Sequence, residues 1–312
     1  MRAPTAQAPA SVLARFGFGA SDQAARVMVP LRRLGGFSEE SWWVTGAFNA
    51  NAQDGVQTLA GDDFMLCWAQ TPAQEDVRDA TYRLYQRLLN TLADAGFGHI
   101  IKGWNHLAQI NAGEGDAERY KQFCIGRADA MAELWPHDYW PAGTGVGSDA
   151  GAGLQVVLLA SRERPVLIEN PRQMSAYDYP RQYGPRSPSF SRAAAYGSDT
   201  DQTLFVSGTA AIVGHQSQHV GDVRSQLHES VTNVKQLFDV FEQQSGLIAR
   251  WRDLGWYRVY LRHPELLTEA YDQLLELGFP VERCAFLRAD ICREELLFEI
   301  DGIVPGTLRS DG

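Results

Sequence analysis

Residues 203–215 read TLFVSGTAAIVGH, and after Asp222 a second run places Val223, Leu227, Val231, Val234, Phe238 and Phe241 at three- to four-residue intervals. The first run is a buried strand passing into a turn of small residues. The second has the period of an amphipathic helix, with Asp222 placed to accept hydrogen bonds from its first free amides and Gly246 to end it. Moving outward, residues 256–261 (WYRVYL) form the next expected strand. Pro264 opens a helix carrying Leu267, Tyr271 and Leu274 that stops at Gly278, and residues 284–287 and 296–304 close the chain as strands.

The same plan precedes it. A strand at 64–70 leads to a helix bearing Val77, Ala80, Leu84, Leu88 and Leu92, then to a strand at 99–110. A second helix follows from Asp116 through Phe123, Ala128, Met131 and Leu134, and a strand at 154–159. Matching helix 77–95 to 223–245, strand 99–110 to 256–261 and helix 116–135 to 264–277 gives an internal repeat offset by about 145 residues. The expected fold is α+β, built from two related halves, each a mixed sheet with helices packed on one face. Residues 1–11 are expected to be loose, and 13–61 to hold short strands and loops.

Composition bounds the function. The 312 residues carry a formal charge of −10 and no basic run, which argues against a nucleic-acid partner. No stretch approaches the ~18 apolar residues of a membrane span, and the opening MRAPTAQAPASVLARF lacks the apolar centre of a secretory leader, so a cytoplasmic protein is expected. Cys67, Cys124, Cys284 and Cys292 show no metal or redox spacing and read as free thiols.

Four features carry candidate chemistry. The stretch GTGVGSDAGAG (143–153) follows no strand and enters no helix, so it reads as a loop rather than a dinucleotide fingerprint. His215 and His219 are spaced like a helical metal pair but lie in a turn before the cap, so a hydrogen-bonding or substrate-contacting role is the better reading and no metal is expected. Residues 171–192, PRQMSAYDYPRQYGPRSPSFSR, concentrate Arg172, Arg181, Arg186 and Arg192 with Tyr177, Tyr179 and Tyr183 around a single acid, Asp178. Guanidinium forks beside tyrosines in a proline-stiffened loop suit a dicarboxylate. In the last strand, alternation sets Leu296, Phe298 and Ile300 on one face and Glu295, Leu297, Glu299 and Asp301 on the other. A half-buried Glu299 would have a raised pKa and could donate a proton.

The second half, from FVSGTAAIVGH through GDVRSQLHESVTNVKQLF to ERCAFLRADICREELLFEIDGIV, resembles the RidA/YjgF fold. With ERYKQFCIGRA, ENPRQMSAYDYPRQYGPRSPSF and SGTAAIVGH, residues 60–304 resemble the chorismatase family. The resemblance implies two RidA/YjgF-like halves: an N-terminal half over 1–170 with an extra leading segment, a connecting loop over 171–202, and a C-terminal domain over 203–312. It implies a cofactor-free enzyme that removes the enolpyruvyl group of chorismate as pyruvate. Glu299 matches the family's proton donor, and Cys292, seven residues earlier, matches a cysteine associated with aromatisation to 3-hydroxybenzoate, with 4-hydroxybenzoate as a further product in one subtype. Arg172, Tyr179, Tyr183, Arg186, Thr209, Ala210, Ala211, His215 and Arg283 are the expected substrate contacts. Gly208, Ala210 and Ala211 each fit the family's small specificity residue. The alternatives are the hydrolase subtype, giving a dihydroxycyclohexadienoate, and a RidA-type imine deaminase in which Arg283 holds a carboxylate. The expected assembly is a monomer or a homotrimer.

Overall fold

The structure is a computed structural model that describes residues 10–18, 27–45, 48–73, 76–136 and 138–308. The expectation of loose chain over 1–11 falls mostly outside these residues; a strand begins at Ala10.

The first half runs β1 (Asn49–Gln53), β2 (Val56–Ala60), β3 (Phe64–Thr71), α1 (Val77–Asp94), β4 (His99–Ala108), α2 (Arg119–Leu134), β5 (Ala142–Ser148) and β6 (Leu154–Ser161). The second runs β7 (Val166–Ile168), β8 (Ala193–Ser198), β9 (Asp201–Ala210), α3 (Val223–Ser245), β10 (Trp256–Leu261), α4 (Leu267–Glu276), β11 (Cys284–Arg288) and β12 (Phe298–Thr307). The sheet orders are β1-β2-β3-β6-β4-β5 and β7-β8-β9-β12-β10-β11, so each strand of the first has its counterpart six numbers later. β4 runs parallel to β5 and β10 to β11, while β6 and β12 are antiparallel to both their neighbours. The doubled α+β plan read from the repeat is therefore present strand for strand. The second sheet starts at Val166, and β8 lies within the stretch expected as a connecting loop.

The helices form where the periodicity placed them. Asp222 accepts from Ser225 N at 3.1 Å, and Gly246 ends α3 with φ of 73°. Along α3, Leu227, Val231, Val234, Leu237, Phe238 and Phe241 are buried against the second sheet, each stabilising by ~1.5–3 kcal/mol. α1 and α2 cover the first sheet in the same way.

The uncovered faces of the two sheets turn toward each other. Trp104, Val157 and Leu159 from the first meet Phe205, Tyr260 and Leu287 from the second. The N-terminal segment closes this layer. Its strands Ala10–Phe18, Val27–Val29 and Glu39–Thr45 form a small sheet whose Phe16, Phe18, Val27 and Val29 enter the same core, while Arg32–Gly36 extends the second sheet beyond β11.

One local expectation is corrected. Residues 143–148, read as part of a glycine-rich loop, lie in the buried strand β5, which pairs along its length with β4. Two of its three glycines answer to crowding. A Cβ on Gly147 would stand 2.7 Å from the Asp290 side chain, and one on Gly143 3.1 Å from Phe190. Glycine here marks close approach of neighbouring chain and not a turn.

Candidate active site

A cavity of about 330 Å³ opens where the two halves meet. That is within the ~300–1,000 Å³ of small-ligand sites. Its floor is the start of β12 and the end of β9, and its walls are the entry to α2, the 179–192 segment and residues 292–295. A recess of about 40 Å³ continues past Gly208, Cys292 and Glu299 to Asn105, Cys124 and Arg127.

Glu299 sits at the junction of the two spaces, with 3% of its surface exposed. It arrives there because alternation along β12 sends Phe298 and Ile300 toward α3 and Glu299 and Asp301 to the opposite face. The facing strand makes room by a β-bulge. The β9–β12 register slips between Val206 and Thr209, leaving Ser207 and Gly208 out of the ladder. Their polar groups are taken up across the halves: Ser207 Oγ accepts from Gly143 N at 2.8 Å, and Thr144 Oγ1 accepts from Gly208 N at 3.1 Å.

Burial raises the Glu299 carboxyl to about 8, with the negative charge of Asp301 adding to it and Lys102 and Arg192 opposing it. At neutral pH it is a neutral acid in contact with the cavity. Cys292 beside it is pushed by burial, and then by Glu299, to about 12, so it stands as an uncharged thiol.

Guanidinium groups ring these two. Arg192 donates to Met174 O at 2.6 Å and to the Tyr179 hydroxyl at 2.8 Å, and its buried Nε has no partner among the described residues. Arg293 donates to His215 O at 2.9 Å and lies 3.9 Å from the centre of the Tyr183 ring, with its buried Nη2 likewise unpaired. Arg127, lining the recess, leaves Nε unpaired. Arg192 and Arg293 also line the cavity, where their fixed positive charge suits an anionic ligand.

Of the residues expected to form the site, Glu299, Cys292, Tyr179, Tyr183 and Ala210 line the cavity. His215 stands behind Tyr183, its Nδ1 3.1 Å from the tyrosine hydroxyl. Thr209 and Ala211 do not line it: Thr209 alternates away from Gly208 and bonds Ser207 O, and Ala211 packs in the core. Arg172 lies elsewhere, bonded to Glu229 at 2.6 Å and to Asn233, tying the 171–192 loop to α3. Arg186 is exposed, and Arg283 stacks over Trp256. Sequence reasoning missed Tyr120 and Lys121 from α2, and Arg293, which follows Cys292. For the α2 pair the signal was the ERYKQFCIGRA block, quoted for resemblance without a role.

Comparison with known proteins points one way. The family model "Chorismatase FkbO/Hyg5-like, N-terminal" matches residues 40–160. A 3-hydroxybenzoate synthase of Streptomyces hygroscopicus is 33% identical over 273 residues, covering 84% of this chain and 80% of the relative. A chorismatase of Streptomyces rapamycinicus is 33% identical over 274 residues, covering 85% and 81%. A crystal structure of a chorismatase superposes with a TM-score of 0.79 at 29% identity, covering 94% of this chain and 92% of that one.

Proposed function

This chain belongs to the chorismatase family, an enzyme acting on chorismate, and we propose that it releases pyruvate and leaves 3-hydroxybenzoate as the ring product. The observation that carries the proposal is Glu299: a buried, proton-bearing carboxyl in a cavity lined also by Arg192 and Arg293.

Chorismate is a diacid, with one carboxylate on a non-aromatic ring and one on an enol ether. Arg192 and Arg293 line the cavity and offer the carboxylates positive charge. Glu299 protonates the terminal methylene of the enol ether, placing positive charge on the ether carbon. The carboxylate so formed faces that charge in a site of low dielectric, where Coulomb attraction is strong. The bond between the ring carbon and the ether oxygen then breaks as the neighbouring ring hydroxyl oxygen bonds to that carbon and gives its proton to the Glu299 carboxylate. Pyruvate departs with the ether oxygen, and the resulting epoxide opens at the hydroxyl's original carbon, with loss of the ring hydrogen, to leave 3-hydroxybenzoate. 3-Hydroxybenzoate and pyruvic acid together have the atoms of chorismate, so the conversion needs neither net water nor an electron acceptor.

The family's alternative is capture of water, which leaves a dihydroxycyclohexadienoate. Two features support aromatisation. Cys292 is an uncharged thiol packed beside the acid, which does not recruit water as a polar group would. Gly208 lets Glu299 lie flat on β9, filling space a water could occupy. Mass analysis of the ring product decides: the reading expects 3-hydroxybenzoate, and a product heavier by one water overturns it.

A further inference from the structure

We infer that Asp301 is a positioning residue for the proton-donating step: its fixed charge, clamped by the first half, adds to burial in keeping Glu299 in the proton-bearing form. The inference rests on the reading of Glu299 as the acid.

Asp301 lies two residues beyond Glu299 on the same face of β12. Its Oδ2 accepts from Thr144 Oγ1 at 2.7 Å, Trp104 Nε1 at 3.0 Å, the Tyr260 hydroxyl at 3.1 Å and Lys102 Nζ at 3.3 Å. Four donors on one oxygen match a carboxylate, which accepts only, and not a neutral acid. Burial alone would raise Asp301, but Lys102, Arg258 and the Thr144 hydroxyl overcome it and hold the carboxyl below its ordinary value. Glu299 by contrast receives no hydrogen bond from any described residue, so its proton is free for transfer.

The groups facing Glu299 are Asp301 on its own strand, Lys102 from β4, Tyr260 from β10, Tyr120 from α2, Arg192 before β8, and Cys292. Burial is the largest influence on Glu299 and favours the proton-bearing form; the two cations favour the ionised form, and Asp301 is the charge that opposes them. Three of the four donors on Asp301, namely Lys102, Trp104 and Thr144, come from the first half, though the acid itself stands in the second. Thr144 also accepts from Gly208 N, so one hydroxyl joins the clamped aspartate to the surface on which Glu299 rests. The first half thereby takes part in setting the proton affinity of an acid that stands in the second.

The test reads the carboxyl groups directly, because Lys102, lowered by burial to about 8, titrates in the same range and would blur a rate profile. Carboxyl carbons are labelled with ¹³C and followed by NMR against pH, with assignment by loss of the signal in Glu299→Gln and Asp301→Asn. In the unmodified enzyme Asp301 is expected to be ionised throughout the range in which Glu299 titrates. In Asp301→Asn the Glu299 midpoint falls by about one pH unit or more. Tyr260→Phe removes a donor but no charge and leaves the midpoint in place. Any of three results would overturn the inference: a proton-bearing Asp301 in the unmodified enzyme, an unmoved midpoint in Asp301→Asn, or an equal displacement in Tyr260→Phe. The first is read on the unmodified enzyme. A fully active Glu299→Gln instead removes the acid reading and leaves the titration result standing.

Discussion

A Cβ placed on Gly208 would stand 2.1 Å from Oε1 of Glu299 and 2.8 Å from its carboxyl carbon. The acid therefore occupies the space where a side chain would be, and the bulge in β9 is what aims that space at it. Gly208→Ala must push the carboxyl aside. A displacement of about 1 Å at a reacting group costs on the order of 10²-fold, so kcat/KM on chorismate is expected to fall by about that factor, with the folded state retained on circular dichroism. Unchanged kinetics would mean that the acid works from another position.

The raised carboxyl also links pH to stability. Glu299 titrates at about 8 in the fold against 4.5 for its ordinary value. Between those values the native state holds a proton that the unfolded chain has lost, so this group's contribution to stability declines as pH rises from about 4.5 to about 8. Glu299→Gln removes the dependence. Denaturant titrations are expected to agree for the two proteins near pH 5 and to favour the variant by a few kcal/mol at pH 8. Equal stability at both pH values would place the native pKa near the ordinary one.

Arg192 and Arg293 are expected to act on binding. Replacing either by Gln removes a charge-assisted contact worth about 1.5–3 kcal/mol, raising KM for chorismate by roughly 10- to 100-fold. Arg172→Gln, which loosens the tie to α3, is expected to lower stability and leave KM much less affected. If Arg172 and not Arg192 controls KM, the cavity has been assigned to the wrong arginines.

How the sequence distributed this information is physical. Periodicity reports which face of an element is buried, so the helices, the repeat and the orientation of Glu299 were legible. A strand such as β5 has no periodic signal, because its glycines respond to Phe190 and Asp290, chain neighbours only in three dimensions. Charge density in 171–192 showed that arginines gather there. It did not show that Arg172 would be spent on Glu229 and Asn233 while Arg192 turned inward. Arg293 was invisible for the same reason: its role comes from Tyr183 and His215, about 80 to 110 positions earlier in the chain.

The N-terminal segment is held by a buried ion pair, Arg258 to Glu40 at 2.8 Å. Removing one partner strands a charge inside the protein. Arg258→Met is expected to cost about 3–5 kcal/mol in denaturant unfolding, and the double variant with Glu40→Leu to recover most of it. A double variant no more stable than Arg258→Met would show that the arginine acts through packing on Phe16 and Trp104 instead of through its charge.

The most direct test compares the unmodified enzyme with Glu299→Gln on chorismate, with pyruvate release followed over time and both proteins checked for folding. The unmodified enzyme is expected to release one pyruvate per chorismate consumed. The variant, folded but without a proton to give, is expected to be slower by about 10²–10⁴-fold. Pyruvate released by Glu299→Gln at the unmodified rate would contradict the account, as would an unmodified enzyme that leaves chorismate intact.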